Sequence, residues 1–432
     1  MKKRAKINVV TLGCSKNTVD SEHLMAQLEA SGFAVEADSN EASARTVIVN
    51  TCGFIGDAKE ESVNTVLDFV RAKEAGQIDR LYVVGCLGER YGRELAEEIP
   101  EADGIFGVND WQTLVEALGG IYDPALATRR HLTTPGHYAY LKVSEGCNRG
   151  CGYCAIPLIR GKHRSVPMEE LLAEAELMAQ KGVRELIVIA QDTTAYGTDL
   201  YGENRLAELL RGLCAIAGIE WVRLHYTYPA HFPQEVIEVL AREPKLCKYI
   251  DIPFQHISDN QLRAMRRGIT REQTFALIDE LRRRVPDLAI RTTLLTGYPG
   301  ETEADFGELL AFVETCRFDR LGVFPYSEEE DTYSARHLAD DVPEAVKQER
   351  VERLMRLQNR ISLENNLRRV GALERVMIDR REGDFWVGRT QYDSPEVDQE
   401  VLVRSETPLP VGDFCRVRIT EAEDYDLYAV PE

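Results

Sequence analysis

Three thiols lie within eight residues of this chain, in Cys147-Asn-Arg-Gly-Cys151-Gly-Tyr-Cys154. The spacing is C-x₃-C-x₂-C. Three thiols can hold three corners of a four-iron cluster, which leaves one iron with an open coordination position. Structural zinc sites take four closed ligands, and plain electron-transfer clusters take four cysteines. The loop therefore serves either a cluster that binds a further ligand or a zinc turn that borrows its fourth ligand from elsewhere.

At 432 residues the chain is too long for one small domain, and length alone suggests about three. Its 44% hydrophobic and 29% charged fractions are those of an ordinary soluble protein. Ten cysteines are scattered without a dense disulfide framework. That points to a reducing, cytoplasmic setting, with thiols kept for metal. Lys2-Lys3-Arg4 followed by Ile7–Cys14 superficially resembles a lipoprotein signal. The apolar stretch is too short and is broken by Asn8, so it reads as a first buried strand. No run reaches the roughly 18 apolar residues of a membrane span. The net charge is −20. Nucleic-acid binding draws on Lys and Arg against phosphate, so no strong nucleic-acid binding is expected. A basic protein partner suits this charge, as does a plain solubility role.

Residues 5–120 read as an open parallel α/β domain. Strands are expected at Ile7–Leu12, Thr46–Asn50 and Arg80–Val84, with helices at Asp20–Ser31 and Lys59–Lys73. Each strand runs into a cysteine: Cys14, Cys52 and Cys86. Ligands of open α/β sheets bind at the carboxyl ends of strands. These thiols are thus expected to form a second three-thiol site, the alternative being three unrelated buried cysteines. Gly13, Gly53 and Gly85 would let the backbone approach a bulky ligand.

Residues 133–366 repeat a strand-then-helix unit. Six strands are expected, at Tyr138–Val143, Glu185–Ala190, Trp221–Tyr226, Lys248–Pro253, Leu288–Thr296 and Leu321–Tyr326. Helices are expected at Met168–Lys181, Gln261–Met265 and Glu303–Thr315. This predicts a partial TIM-type (βα)₆ barrel with the cysteine loop after its first strand, at the face where such barrels keep their chemistry. A long charged helix spans Asp341–Arg369 and ends near Gly371. Residues 367–432 read as a small all-β barrel, with strands at Arg375–Asp379, Phe385–Thr390, Val401–Val403 and Cys415–Ile419. This segment carries fifteen Asp and Glu against nine Arg and no Lys. Asp393, Glu396 and Asp398 are read as part of its acidic surface.

The cysteine loop, with Tyr153 before its last thiol, resembles the radical S-adenosylmethionine (SAM) superfamily. Over nearly its full length the chain resembles the methylthiotransferase family. The match rests on Gly13-Cys14, Asn50-Thr-Cys52, Gly85-Cys86, Cys147/Cys151/Cys154, Ile159-Arg-Gly161 and Gly297-Tyr-Pro-Gly-Glu301. That family joins an N-terminal cluster domain, a radical SAM core and a C-terminal TRAM domain. One branch modifies adenosine in tRNA. The other, RimO-type, modifies an aspartate of the twelfth small-subunit ribosomal protein. Leu12-Gly-Cys14-Ser-Lys-Asn-Thr-Val-Asp-Ser-Glu22 is close to the RimO-type pattern, with Ser15 where that pattern usually has Pro. Gly388-Arg-Thr-Gln-Tyr-Asp-Ser-Pro-Glu396 also resembles it.

The resemblance implies a transferase with two 4Fe-4S clusters and SAM as both radical source and methyl donor. One cluster would sit on Cys147, Cys151 and Cys154, the other on Cys14, Cys52 and Cys86. The product would carry a methylthio group on Cβ of the aspartate, a carbon with no acidic proton for a general base. No catalytic residue beyond the cluster ligands is assigned. Candidate SAM contacts are Tyr153, Gln191, Asp192, Gly297, Pro299, Gly300 and Glu301. Each has a bland alternative: Tyr153 in the cluster shell, Gln191 and Asp192 in a cap or turn, Gly297–Glu301 as a tight strand-to-helix turn. His225 and His256 are read as core or rim histidines. Cys214, Cys247, Cys316 and Cys415 show no ligand spacing and read as packing thiols. Implied partners are the ribosomal protein, free or on the ribosome, and an electron donor. The rivals are a tRNA methylthiotransferase and a non-catalytic iron–sulfur electron carrier.

Overall fold

The computed structural model describes residues 6–39 and 44–432. Lys2–Arg4 and residue 5 lie outside them. The chain divides into two compact units. The first comprises residues 1–134, 140–148 and 154–177; the second comprises 135–139, 149–153 and 178–432.

The described part of the first unit is built on strands β1 (Lys6–Thr11), β2 (Ala34–Ala37), β3 (Thr46–Thr51), β4 (Arg80–Gly85) and β5 (Gly104–Ile105). They form one parallel sheet in the order β2-β1-β3-β4-β5. Parallel strands covered on both faces read as continuous apolar runs, and every residue of β3 is buried. Alternate side chains serve opposite faces. Ile7, Val9, Ile48, Tyr82 and Val84 pack on Leu24, Met25 and Leu28 of helix α1 (Ser15–Ala30). Val47, Val49, Leu81 and Val83 pack on Val66 and Val70 of helix α2 (Gly56–Glu74).

Helix α1 starts five residues before the expected Asp20. Its first turn is polar in sequence, yet Lys16 and Asn17 are buried. Strands β2 and β5 escape a sequence reading because they are short and only partly buried.

Strand β6 (Tyr138–Lys142) follows, then the two-residue strands β7 (Ser144–Glu145) and β8 (Arg164–Ser165), which pair antiparallel. Both short strands belong to the first unit, while the second carries β9 (Glu185–Ile189), β10 (Trp221–Leu224), β11 (Leu246–Asp251), β12 (Ala289–Thr296) and β13 (Arg320–Pro325). Within this unit the strands run β13-β12-β11-β10-β9, all parallel. Intervening helices include Asp259–Ala264 and Glu303–Cys316, the latter opened by a Thr302/Asp305 capping box. The long helix spans Glu344–Leu367.

The unit ends in a closed barrel of β14 (Leu373–Glu382), β15 (Phe385–Arg389), β16 (Glu400–Val403), β17 (Phe414–Ala422) and β18 (Asp426–Pro431). Its interior is Val376, Ile378, Val401, Val403, Val417, Ile419, Leu427 and Ala429. The last strand, unread in the sequence because acidic turn residues flank it, completes the closure by pairing with both β16 and β17.

The expectation that Asp393, Glu396 and Asp398 form an acidic surface holds only for Glu396, which is exposed. Asp393 is fully buried and accepts hydrogen bonds from Arg320 and, at 2.5 Å, from Thr390 Oγ1. The Asp398 carboxylate is buried too, accepting from Tyr249 Oη and the Ser394 amide, each at 2.8 Å. These carboxylates bind the barrel to the (βα)₆ sheet within this unit. Among the described residues no helix is long and apolar enough to cross a membrane.

Candidate metal centres

In the first unit the sheet order sets β1, β3 and β4 side by side, with Thr11 opposite Asn50 and Thr51 opposite Gly85. Their carboxyl ends therefore deliver Cys14, Cys52 and Cys86 to one edge. Cys14 is exposed, while Cys52 and Cys86 are buried. The flanking glycines bring the turns themselves together. A Cβ on Gly13 (φ +90°) would lie 2.8 Å from Cys52 Cβ. One on Gly53 would lie 2.7 Å from the Cys86 carbonyl carbon, and one on Gly85 (φ +95°) 2.3 Å from Asn50 Oδ1. The missing side chains let the three cysteine-bearing turns close on one another.

Polar side chains lock these turns. Asn17 Nδ2 donates to Leu12 O (2.8 Å) and Thr51 O (3.1 Å), just before Cys14 and Cys52. Asn50 Nδ2 donates to Asn17 O (3.0 Å) and Ser21 Oγ (2.9 Å). The Cys52 amide donates to Ser62 Oγ at 3.0 Å. Cys86 Sγ accepts from Arg160 Nε (3.3 Å) and Nη2 (3.2 Å). Burial pushes the Cys86 thiol up to about 11, with Arg160 pulling the other way. Burial raises Cys52 as well.

Among the described residues no three His, Cys, Asp or Glu side chains converge tightly enough for a single metal ion. A cluster spreads its thiols over separate irons, so its ligands need not meet at one point. An all-thiol donor set, held by glycine-tight turns and lacking His or carboxylate, suits an iron–sulfur cluster.

The second set is carried by the loop after β6. Cys147 and Cys154 belong to the first unit and Cys151 to the second. The Cys147 amide donates to Gly161 O at 3.1 Å. Within the second unit, Cys151 Sγ lies 3.6 Å from Tyr228 Oη and accepts from Arg267 Nη1 at 3.3 Å. The same nitrogen donates to Tyr153 Oη at 3.1 Å, and Arg267 Nη2 donates to Pro253 O at 2.5 Å. Tyr153 packs edge-on against Tyr298, with ring centroids 6.5 Å apart. Sequence reasoning picked out Arg160 only as part of the Ile159-Arg-Gly161 match, with no role, and missed Arg267 and Tyr228, because no local spacing marks a side chain that reaches a thiol from far along the chain.

The other candidates have defined environments. Asp192 is buried, takes Arg149 Nε at 2.7 Å and accepts from Thr194 Oγ1 at 2.5 Å. Its side chain caps no backbone amide of the following turn. Gln191 beside it is half-buried. Glu301 is buried, accepts from the Gly297 amide at 2.8 Å and pairs with Arg350 Nη1 at 2.8 Å. A Cβ on Gly297 would meet the Lys347 side chain at 2.2 Å. Glu301 and Gly297 thus fasten a strand-to-helix turn to the long helix. Gly300, after Pro299, has positive φ with open space where a Cβ would be, and its amide donates to Asp341 Oδ1 at 2.7 Å.

His225 Nε2 lies 2.9 Å from Ser394 Oγ, and His256 is fully buried and accepts at Nδ1 from the Ser258 amide. Both are core residues. Burial drives the Cys214, Cys247 and Cys316 thiols up to about 12, where they are inert.

Family profiles match three stretches of the chain. The Radical SAM superfamily matches residues 141–313, Uncharacterized protein family UPF0004 matches 6–107, and the TRAM domain matches 370–431. The chain is 53% identical over 428 residues to the ribosomal protein uS12 methylthiotransferase RimO of Phocaeicola vulgatus, covering 99% of each. It is 54% identical over 429 residues to that of Porphyromonas gingivalis, again 99% of each. It is 54% identical to that of Christiangramia forsetii over 99% of this chain and 95% of the relative. Among solved structures, the radical S-adenosylmethionine methyltransferase TsrM from Kitasatospora setae aligns with a TM-score of 0.55 at 16% identity. The alignment covers 74% of this chain and 72% of that one, a likeness of fold. Relatives this similar over the whole length place the chain in the RimO family of ribosomal protein uS12 methylthiotransferases.

Proposed function

We propose that this protein is a radical SAM transferase that adds a methylthio group to Cβ of an aspartate of ribosomal protein uS12. The observation that carries the reading is the occurrence of two separate three-thiol sets in a chain related to RimO proteins over 99% of its length. Cys14, Cys52 and Cys86 would hold one 4Fe-4S cluster, and Cys147, Cys151 and Cys154 the other. Bound there, the two clusters and SAM supply the radical, the sulfur and the methyl group.

The chain's own residues position and shield that chemistry. Arg160 and Arg267 each donate to one thiol of a set. Tyr153 and Tyr298 wall the loop at Cys151. For SAM we retain Tyr153, Gln191, Asp192, Gly297, Pro299, Gly300 and Glu301 as neighbours. Asp192 and Glu301 would act by holding Arg149 and the turn rather than by direct contact. The division into 5–120, 133–366 and 367–432 is likewise proposed. The substrate is a basic ribosomal protein, an outside donor supplies electrons, and the work is done in the cytoplasm.

The test is anaerobic reconstitution followed by reduction in the presence of SAM, with isolated uS12 or tRNA offered as substrate. The reading expects SAM cleavage and modification of uS12. Absence of SAM cleavage would mark an electron carrier, and modification of tRNA would mark the other branch.

A further inference from the structure

Arg160 follows Cys154 by six residues but reaches the other thiol set. The helical turn Ile156–Ile159 carries it there, with Ala155 and Ile159 packed against Cys86, Val108 and Phe54. Every nitrogen of the guanidinium is committed. Nη1 pairs with Asp20 Oδ2 at 2.6 Å and Glu145 Oε2 at 3.2 Å. Nη2 donates to Asn17 Oδ1 at 2.6 Å and to Cys86 Sγ at 3.2 Å, while Nε donates to Cys86 Sγ at 3.3 Å.

Lys142 shares both carboxylates, bonding Asp20 and, at 2.6 Å, Glu145, so two cations face two anions. The Arg160 side chain is 2% exposed. A buried fork this fully paired has one orientation. The carboxylates fix its charge, and the remaining edge is aimed at sulfur.

Hydrogen bonds to ligating sulfur are one of the levers that set the potential of an iron–sulfur cluster. Reduction adds negative charge, which N–H donors stabilise, so such donors raise the potential. We infer that Arg160 is a positioning residue that raises the reduction potential of the centre on Cys14, Cys52 and Cys86 by donating two N–H···S bonds to Cys86. This rests on the two-cluster reading proposed above.

The test uses the reconstituted full-length protein in an EPR-monitored redox titration, with and without SAM. The signal that SAM leaves unchanged belongs to the Cys14/Cys52/Cys86 set. Arg160→Gln removes the charge and leaves Asp20 facing Lys142 alone, so it risks misfolding. Arg160→Lys keeps the charge between Asp20 and Glu145 but loses the fork, and it is the decisive variant.

In Arg160→Lys the SAM-insensitive midpoint should fall by the equivalent of about a tenfold change in the reduction equilibrium, about 59 mV for one electron. The SAM-sensitive midpoint should stay in place. A merely structural role would lower yield or iron content without moving one midpoint selectively. If wild-type protein shows only a SAM-sensitive signal, the two-cluster reading fails and this inference falls with it. If both signals are present and the SAM-insensitive midpoint in Arg160→Lys equals that of wild type, this inference alone is overturned.

Discussion

Cys52 and Cys214 are both buried thiols in different settings. Cys52 follows a strand end, beside glycines that let Cys14 and Cys86 turns close on it. Cys214 lies inside the helix Leu206–Ala215 among packed apolar residues. The strand-end placement of Cys52 was legible in the sequence, because a β-branched run ending in a thiol is a local pattern. The thiol partners of Arg160 and Arg267 were not legible, because they lie 74 and 116 residues away, although Arg160 stood within the Ile159-Arg-Gly161 match.

If the two thiol sets are independent, replacing Cys147, Cys151 and Cys154 by Ala should halve the iron and abolish SAM cleavage. Replacing Cys14, Cys52 and Cys86 should also halve the iron but leave SAM cleavage measurable. Iron analysis and chromatography of SAM products check both. Loss of all iron from either triple variant would show that the sets act as one.

Elements are joined by buried ion pairs as well as by apolar faces. In the second unit Glu185 of β9 meets Arg223 of β10 at 2.7 Å and Arg389 of β15, all with side chains at most 3% exposed. Burial pushes the Glu185 carboxyl up, but Arg389 and Arg223 outweigh it and hold it below its ordinary value. A depressed carboxyl stabilises the fold above its unfolded value of about 4.3, and that stability is lost as pH falls through the lower folded value. Glu185→Gln leaves two buried guanidinium groups without their carboxylate and should cost about 3–5 kcal/mol at neutral pH. The variant should also lose this contribution to acid unfolding. Denaturant titrations at neutral and acid pH would show both, and a change below about 1 kcal/mol would contradict the account.

Sequence reading recovered β1, β3, β4 and the core strands to within a few residues, since long β-branched runs state their own burial. It missed β2 and β5, whose few residues carry too little pattern. It also missed β18, whose place depends on barrel closure.

Over the whole molecule, the net charge of −20 favours encounter with a basic protein. Fully buried Asp393 and the carboxylate of Asp398 contribute no such surface, because they neutralise Arg320 and Arg291. The surface charge lies instead on exposed residues such as Asp384, Glu406 and Glu421. Composition reports how many carboxylates there are, but partners distant in sequence decide which remain at the surface.

Reversing those three to Lys should slow modification of uS12 and weaken its salt dependence, since exposed charges are screened beyond about 8 Å at physiological ionic strength. SAM cleavage without substrate should be unchanged. A faster reaction with uS12 after the reversal would contradict electrostatic docking.

The most direct test of the central claim is intact-mass and fragment analysis of uS12 from cells with and without this protein. The account predicts that one aspartate of uS12 carries a methylthio group in place of a hydrogen only when the protein is present. An identical uS12 mass in both, with the mass change found in tRNA instead, would contradict it.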